Sequence, residues 1–330
     1  MYKLNILQYN NMQNLHIKND MSLNILSNNE EYIKIEKEFK EKYLFENINS
    51  FSFCKSGFLS LLLELNKKGK IAISVGETQN LIDAAILFED LGFEIIWIDL
   101  LKNGNVNIQT IEALNIDFIF ISSYIMDTFV QTSIENIKKS TKAKVISNAS
   151  AHFDKDSDVI YFDPYKLTGY FTHGLILFNE NLFEEQAISN KDGIALFNIL
   201  EALKNQKFEI SIKDIFIEKL NDILKENIYF FVDNSQTLPY SLHFALKNIK
   251  ARELIRTLAL DEIYITNGEG CSLGLSKPSR IIQAMAYDET TSRNSISLTF
   301  TQKLEEKEIE KIVNTIAKKY KQIKVLNEGN

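Results

Sequence analysis

Short segments that are apolar at nearly every position recur along the first half of the chain and alternate with amphipathic stretches. This pattern predicts helices at 58–66, 79–91, 108–113 and 133–140 and strands at 70–74, 93–99, 117–123 and 144–147. Strands without a polar face are typical of a parallel sheet, because the crossover helices cover both of its faces. We therefore predict an α/β domain whose main sheet is mostly parallel.

Two further apolar segments, 159–162 and 173–178, flank the sequence Asp163-Pro164-Tyr165-Lys166, and we expect no helix between them. Beyond about residue 207 the pattern is that of an α+β domain, with helices at 212–226, 251–259, 278–286 and 304–320 and strands at 228–232, 241–246, 262–266 and 295–301. We divide the chain into an N-terminal segment with an amphipathic helix at 30–43 (residues 1–50), a large domain (51–208) and a small domain containing a loop at 267–277 (209–330).

The composition narrows the class of protein. With 330 residues, 45% hydrophobic and 25% charged, the chain is a globular protein of more than single-core size. A net charge of -7 argues against nucleic acid or an anionic membrane as the main partner. No apolar run reaches the roughly 18 residues of a spanning helix. The two cysteines exclude a disulfide framework, and the four histidines lack metal-ligand spacing, so we expect a cytoplasmic protein without a metal site.

One of the cysteines lies in a segment rich in small residues. The segment Asn267-Gly268-Glu269-Gly270-Cys271-Ser272-Leu273 is followed by Ser276-Lys277-Pro278-Ser279 and a predicted helix. It resembles the catalytic-cysteine segment of the cysteine desulfurases. Small residues leave a thiol accessible on a loop that can reach a substrate sulfur. The resemblance implies that Cys271 is the sulfur-accepting residue.

A second segment carries the resemblance further. The sequence from Asp158 to Gly174 is similar to the family segment that ends in Ser-Gly-His-Lys, which places Lys166 at the Schiff-base position. With matches that begin at Glu77 and Asn103, the resemblance extends over about residues 52–323. It implies the fold type I of pyridoxal-phosphate-dependent transferases, pyridoxal 5'-phosphate as cofactor, and a homodimer that passes sulfur to a scaffold or acceptor protein.

The family's other contacts fall on different side chains. The aspartate expected at the pyridine nitrogen is Asn148, which can donate a hydrogen bond to this nitrogen but cannot hold it protonated. The stacking histidine is Thr78, and the phosphate turn is Ser56-Gly57. Asp163 completes the predicted cofactor-binding residues. The remaining replacements are Leu59 for the hydroxyl residue of the phosphate turn, Ala151 for a glutamine and Ser297 for the arginine that clamps a substrate carboxylate.

The resemblance and the replaced residues are compatible with three functions. The first is a cysteine desulfurase in which the Cys271 thiolate takes sulfur from L-cysteine and leaves alanine and a persulfide. The second is a degenerate family member that acts as a binding or dimerisation partner without catalysis. The third is a pyridoxal phosphate enzyme with an altered substrate, because the arginine clamp is replaced. The sequence leaves all three open.

Overall fold

The computed structural model describes residues 1–5, 30–171, 173–183, 192–268 and 277–328. The elements of the first part are β1 (Tyr2–Lys3), α1 (Glu30–Tyr43), β2 (Asn47–Ser52), α2 (Lys55–Asn66), β3 (Ile71–Ser74), α3 (Gln79–Asp90), β4 (Ile96–Ile98), α4 (Ile108–Glu112), β5 (Phe118–Phe120), α5 (Ile134–Ser140), β6 (Lys144–Asn148), β7 (Val159–Phe162), α6 (Pro164–Thr168), β8 (His173–Phe178) and α7 (Gly193–Lys204). Those of the second part are α8 (Lys213–Leu224), β9 (Ile228–Tyr229), β10 (Ser241–Leu246), α9 (Ala251–Ala259), β11 (Ile263–Tyr264), α10 (Arg280–Ala284), α11 (Glu289–Ser292), β12 (Ser295–Thr299) and α12 (Glu306–Glu328).

The main sheet has seven strands in the order β2-β8-β7-β6-β5-β3-β4. The five strands from β7 to β4 are parallel, whereas β8 is antiparallel to both β7 and β2. Because β8 is antiparallel to both of its neighbours, β2 runs parallel to β7 and ends at the same edge of the sheet. The predicted α/β class with a mostly parallel sheet is confirmed.

Both faces of this sheet are buried, as the wholly apolar strands predict. Along β5, Phe118 and Phe120 pack into one hydrophobic cluster, and Ile119 packs into the cluster on the opposite face. Successive side chains of a strand point to opposite faces, so both clusters need apolar residues at every position. Val145 and Ile146 of β6 divide in the same way.

The prediction of no helix between the strands at 159–162 and 173–178 is wrong. The short helix α6 follows β7 directly. The side chain of Asp163 accepts a hydrogen bond from the backbone N–H of Lys166 at 3.1 Å, and Pro164 occupies the first turn, where its missing N–H has no cost. Gly169 ends the helix with a φ of +77°. Strand β2 and helix α7 were not predicted.

The second part of the chain builds a separate antiparallel sheet in the order β12-β10-β9. The N-terminal strand β1 pairs in parallel with β11, and Leu4 lies in the hydrophobic cluster of this second sheet. The chain therefore contributes its first residues to the packing of its C-terminal part. The domain boundaries at residues 50 and 208 stay a prediction. Within the described ranges, no helix is long and apolar enough to cross a membrane.

Candidate active site

The carboxyl ends of β3, β5, β6 and β7 meet at one edge of the main sheet. Glu77 and Thr78 follow β3, and Tyr124 follows β5. Asn148 is the last residue of β6, and Lys166 lies on the helix α6 that follows β7. The carboxyl ends of parallel strands are the usual location of binding sites in α/β folds. Two of the predicted cofactor contacts and the predicted lysine thus lie at one edge of the sheet.

Lys166 lies on α6 and is only 5% exposed. Its amine donates a hydrogen bond to the hydroxyl of Tyr124 and lies 4.2 Å from the centroid of the tyrosine ring. Tyr124 is fully buried. Tyr124 was not among the predicted site residues. A signal was present, because Tyr124 is a polar residue in the loop that follows the wholly apolar strand β5.

Asn148 ends strand β6 and is almost fully buried. Its Oδ1 accepts hydrogen bonds from the backbone N–H of Ser150 at 2.9 Å and from the Ser150 hydroxyl at 2.6 Å. A backbone N–H can only donate, so these bonds fix which end of the amide is oxygen. The Nδ2 group is buried and has no hydrogen-bond partner in the described structure. Asn148 therefore presents an unused donor.

The buried carboxyl group of Glu77 is linked to the backbone of Asn148 through Ser122. Glu77 accepts hydrogen bonds from Ser122 Oγ at 2.8 Å and from the Tyr161 hydroxyl at 2.7 Å. Burial raises the pKa of Glu77 although these hydrogen bonds oppose the shift, and burial also raises the pKa of Tyr161. The backbone N–H of Asn148 donates to the same Ser122 oxygen at 3.1 Å. The neighbouring Thr78 has a buried Oγ1 without a partner in the described structure.

The predicted phosphate turn, Ser56-Gly57, lies in the first turn of helix α2. Helix α2 begins at Lys55 with Cys54 as its N-cap residue, so Gly57 lies inside the first turn and not before it. A Cβ atom on Gly57 would collide with the carbonyl oxygen of Ser52. The glycine is therefore required for the close approach of β2, and its face of the helix is closed to an anion. Cys54 and Ser56 are exposed at the amino end of α2.

The position predicted for the carboxylate clamp lies in the interior. Ser297 pairs with His243 across the second sheet, and both side chains are fully buried. The Ser297 hydroxyl donates to the backbone carbonyl of Asp127 at 3.1 Å, and His243 Nδ1 lies 3.0 Å from the same hydroxyl. Burial lowers the pKa of His243 to about 3, so its imidazole is neutral at physiological pH. The guanidinium of Arg293 forms an ion pair with Glu289.

Cys271 lies outside the described residues, but the residues on both sides of its segment are described. Gly268, with a φ of +136°, packs against the carboxylate of Asp127, and Ser279 Oγ donates to the same carboxylate at 2.7 Å. Arg280 then donates to the backbone carbonyls of Val75 and Glu77. Residues that flank the cysteine segment thus contact the loops after β3 and β5, which carry the candidate site.

Known proteins resemble the chain in sequence and in fold. No protein family model matches the chain. A putative cysteine desulfurase, IscS 1 of Bacillus subtilis (strain 168), is 24% identical over 246 residues, and the match spans 63% of this chain and 64% of that protein, which is just under two thirds. A structure of a NifS-like protein superposes with a TM-score of 0.68 at 15% identity and covers 86% of both chains. A NifS-like protein from Rickettsia africae ESF-5 gives a TM-score of 0.64 at 19% identity, with 88% of both chains covered.

The fold is that of the NifS-like proteins. The sequence match is to a putative cysteine desulfurase, and the resemblance found in the sequence is confirmed. The identities are low, so the activity of this chain is a separate question from its fold.

Proposed function

We propose that the protein is a pyridoxal-phosphate-dependent enzyme that transfers sulfur from L-cysteine to Cys271. The observation that carries this proposal is the buried amine of Lys166 at the same sheet edge as the unused amide donor of Asn148. A buried donor without a partner costs about 1–3 kcal/mol, so its retention in the fold indicates that a ligand supplies the acceptor. The homodimer and the sulfur acceptor implied by the resemblance stay predictions.

The described residues fit the cofactor at its ring. Lys166 supplies the primary amine that an aldehyde requires, and Asn148 Nδ2 supplies a donor for the lone pair of a pyridine nitrogen. Thr78 Oγ1 is a second buried polar atom without a described partner at this edge. The amino end of α2 lies at the same edge of the sheet, and a helix amino end suits a phosphate group.

When bound, pyridoxal phosphate supplies a ring that withdraws electrons from the substrate carbon next to the amine. In this protein the fixed amide of Asn148 can only donate to the ring nitrogen, so it favours the unprotonated nitrogen and a weaker electron sink. Lys166 is placed to carry a proton, and Tyr124 positions its amine. Asp163 orients Lys166 by capping the short helix that bears it.

Sulfur transfer itself needs Cys271. The carbon–sulfur bond of L-cysteine breaks, a sulfur–sulfur bond forms with the Cys271 thiolate, and a proton is delivered to the carbon. The products are alanine and a persulfide on Cys271, and no external oxidant or reductant is required. A thiol is a competent nucleophile in this step because its thiolate is strongly nucleophilic.

One observation favours an altered substrate as a second candidate. The position of the arginine clamp is Ser297, which is fully buried and hydrogen-bonded to the Asp127 carbonyl. No cation is offered there to a substrate carboxylate. An enzyme without this clamp should desulfurate cysteamine, which lacks the carboxylate, about as well as L-cysteine. An enzyme that binds the carboxylate elsewhere should retain a strong preference for L-cysteine.

The cofactor is tested by the visible absorption of protein purified with pyridoxal phosphate. The proposal predicts an absorption band that is lost in Lys166→Ala. Lys213→Met is the matched control, because Lys213 is also buried and its burial lowers its pKa to about 8, which makes its amine reactive toward aldehydes. Borohydride reduction and peptide mapping should locate the cofactor on Lys166. A band that survives in Lys166→Ala would overturn the assignment.

The transfer step is tested by alanine formation and sulfide release from L-cysteine in the presence of a thiol reductant. Both products should appear with the wild type. In Cys271→Ser sulfide release should be lost, while the absorption band stays. A protein that shows the band but forms neither product from cysteine or cysteamine would be a non-catalytic member of the family.

A further inference from the structure

Positive charge is concentrated around one small pocket of the second part of the chain. We call it the basic pocket. Its lining residues are Lys250, Arg252, Asn267, Lys277 and Arg293. Asn267 and Lys277 flank the segment that contains Cys271, so the pocket adjoins both ends of that segment.

The charge of the basic pocket is poorly compensated. Glu289 pairs with Arg293 at 2.5 Å. For the other three cations, the part of the chain that the structure describes offers no ion pair. The protein as a whole carries a net charge of -7, so this positive cluster is opposite in sign to the overall charge. Like charges at close range repel one another, and a bound anion would relieve the repulsion.

The backbone of helix α9 adds partial positive charge at the basic pocket. Helix α9 begins next to Lys250, which is its N-cap residue and makes no side-chain capping hydrogen bond, and Arg252 lies in its first turn. The amino end of a helix carries partial positive charge, where carboxylates are favourable and cations are not. The backbone N–H of Ala251 donates to the carbonyl of Arg293 at 2.9 Å. This hydrogen bond holds Arg293 next to the start of helix α9. Glu253 lies in the same first turn and supplies a carboxylate there.

We propose that the basic pocket binds a small oxyanion, of the phosphate, sulfate or carboxylate class. Guanidinium groups match the paired oxygens of such anions, lysine amines add point charges, and the Asn267 amide adds a neutral donor. The site goes beyond the proposed function, since no step of sulfur transfer requires it. It would place an anion beside the segment of Cys271.

Isothermal titration calorimetry of the full-length protein in low-salt buffer tests this site. Sodium phosphate, sodium sulfate and sodium succinate are titrated separately, and at least one of them should bind with a stoichiometry of one. Binding of phosphate or sulfate alone assigns an inorganic oxyanion, and binding of succinate assigns a carboxylate. The Arg252→Gln/Lys277→Gln double variant should bind about tenfold more weakly for each charge removed, because a charge-assisted hydrogen bond is worth that factor.

Arg256→Gln is the matched control. Arg256 is exposed on the same helix but does not line the pocket, so its loss removes one positive charge outside the pocket and should leave the affinity unchanged. Lys166→Ala should also bind the anion normally, which separates this site from the proposed cofactor. Circular dichroism confirms that each variant is folded. Absence of binding for all three anions, or equal affinity in the double variant and the wild type, would overturn the proposal.

Discussion

The hydroxyl of Tyr124 accepts a hydrogen bond from the amine of Lys166, and the same amine lies 4.2 Å from the centre of the tyrosine ring. Two contacts from one side chain therefore fix the position of the amine that the proposed function needs. The tyrosine comes from the loop after β5 and the lysine from the helix after β7. The relationship is thus a product of the sheet order, in which β6 lies between these two strands.

Tyr124→Phe keeps the ring and removes the hydroxyl. We expect a loss of about 1–2 kcal/mol in the free energy of unfolding, because a buried hydrogen bond to a lysine amine is removed. Urea denaturation measures this loss. We also expect a weaker or shifted visible absorption band after incubation with pyridoxal phosphate, because the amine is no longer held in place.

Tyr320→Phe is the control for this experiment. The Tyr320 hydroxyl shares its hydrogen between Asn227 Oδ1 at 3.0 Å and the Lys247 carbonyl at 3.1 Å, in the second part of the chain. Its loss should lower stability by a similar amount and leave the absorption band unchanged. If both variants change the band equally, Tyr124 has no specific role toward Lys166.

The sequence predicts the sheet better than the site. Wholly apolar strands such as β5 and β6 are visible because both of their faces are buried, whereas β2 contains Asn47, Asn49 and two serines and has no such signature. The family motifs located Lys166. The pairing of Lys166 with Tyr124 joins residues 42 positions apart, and only the register of three strands brings them together.

The phosphate turn shows why a helix start is hard to predict from this sequence. Helix α2 begins after Cys54, which makes no side-chain capping hydrogen bond to the helix backbone, so the usual Ser, Thr, Asp or Asn signal is missing. The Ser56-Gly57 pair lies inside the first turn of the helix. The need for glycine arises from the carbonyl of Ser52 in the preceding strand, which cannot be inferred from spacing.

Glu77 should make stability depend on pH. Burial raises the pKa of this carboxyl above 4.5, so the folded protein binds the proton more tightly than the unfolded chain. The stabilising contribution of the protonated form is complete below pH 4.5 and is lost as the pH rises through the raised pKa. In Glu77→Gln the free energy of unfolding, measured in urea between pH 4.5 and 8, should fall less with rising pH than in the wild type.

A surface carboxylate provides the comparison for Glu77. Glu226→Gln removes an exposed carboxylate and should leave the wild-type pH profile unaltered. Parallel profiles for Glu77→Gln and the wild type would contradict the prediction, because the buried carboxyl would then have the same pKa in both states.

The buried His243 should lower the stability of the fold as the pH falls, which is opposite to the effect of Glu77. Burial lowers its pKa from 6.5 to about 3, although the backbone of Asp127 opposes the shift. Between these values the unfolded chain binds a proton that the folded protein does not, so stability falls as the pH is lowered from 6.5 toward 3. One proton corresponds to a slope of at most about 1.4 kcal/mol per pH unit.

His243→Asn tests this slope, because its amide can keep a donor near Ser297 without a titratable group. The difference in unfolding free energy between this variant and the wild type should change in favour of the variant as the pH falls below 6.5. His173→Gln is the control, since the side chain of His173 is 39% exposed. A pH-independent difference for His243→Asn would show that the imidazole is not buried in its neutral form.

Cys54 should be a reactive thiol. Burial raises its pKa, but hydrogen bonds from the Ser56 hydroxyl and from the backbone N–H groups of Ser56 and Gly57 outweigh this, so the pKa lies below 9.0. The thiol is exposed at the amino end of α2. In a Cys271→Ser background we expect Cys54 to react with iodoacetamide at neutral pH faster than a free cysteine thiol, because the thiolate is the reacting form.

Ser56→Ala should slow this alkylation by removing the hydroxyl that lies 3.1 Å from Cys54 Sγ. Ser60→Ala should not, because the Ser60 hydroxyl donates to the Ser56 carbonyl and not to the thiol. The rate as a function of pH should have its midpoint below 9.0, and a midpoint at or above this value would contradict the prediction. Because Cys54 is also expected to be reactive, sulfur transfer should be compared in Cys54→Ala and Cys271→Ala. Only the second variant should lose sulfide release if Cys271 is the acceptor.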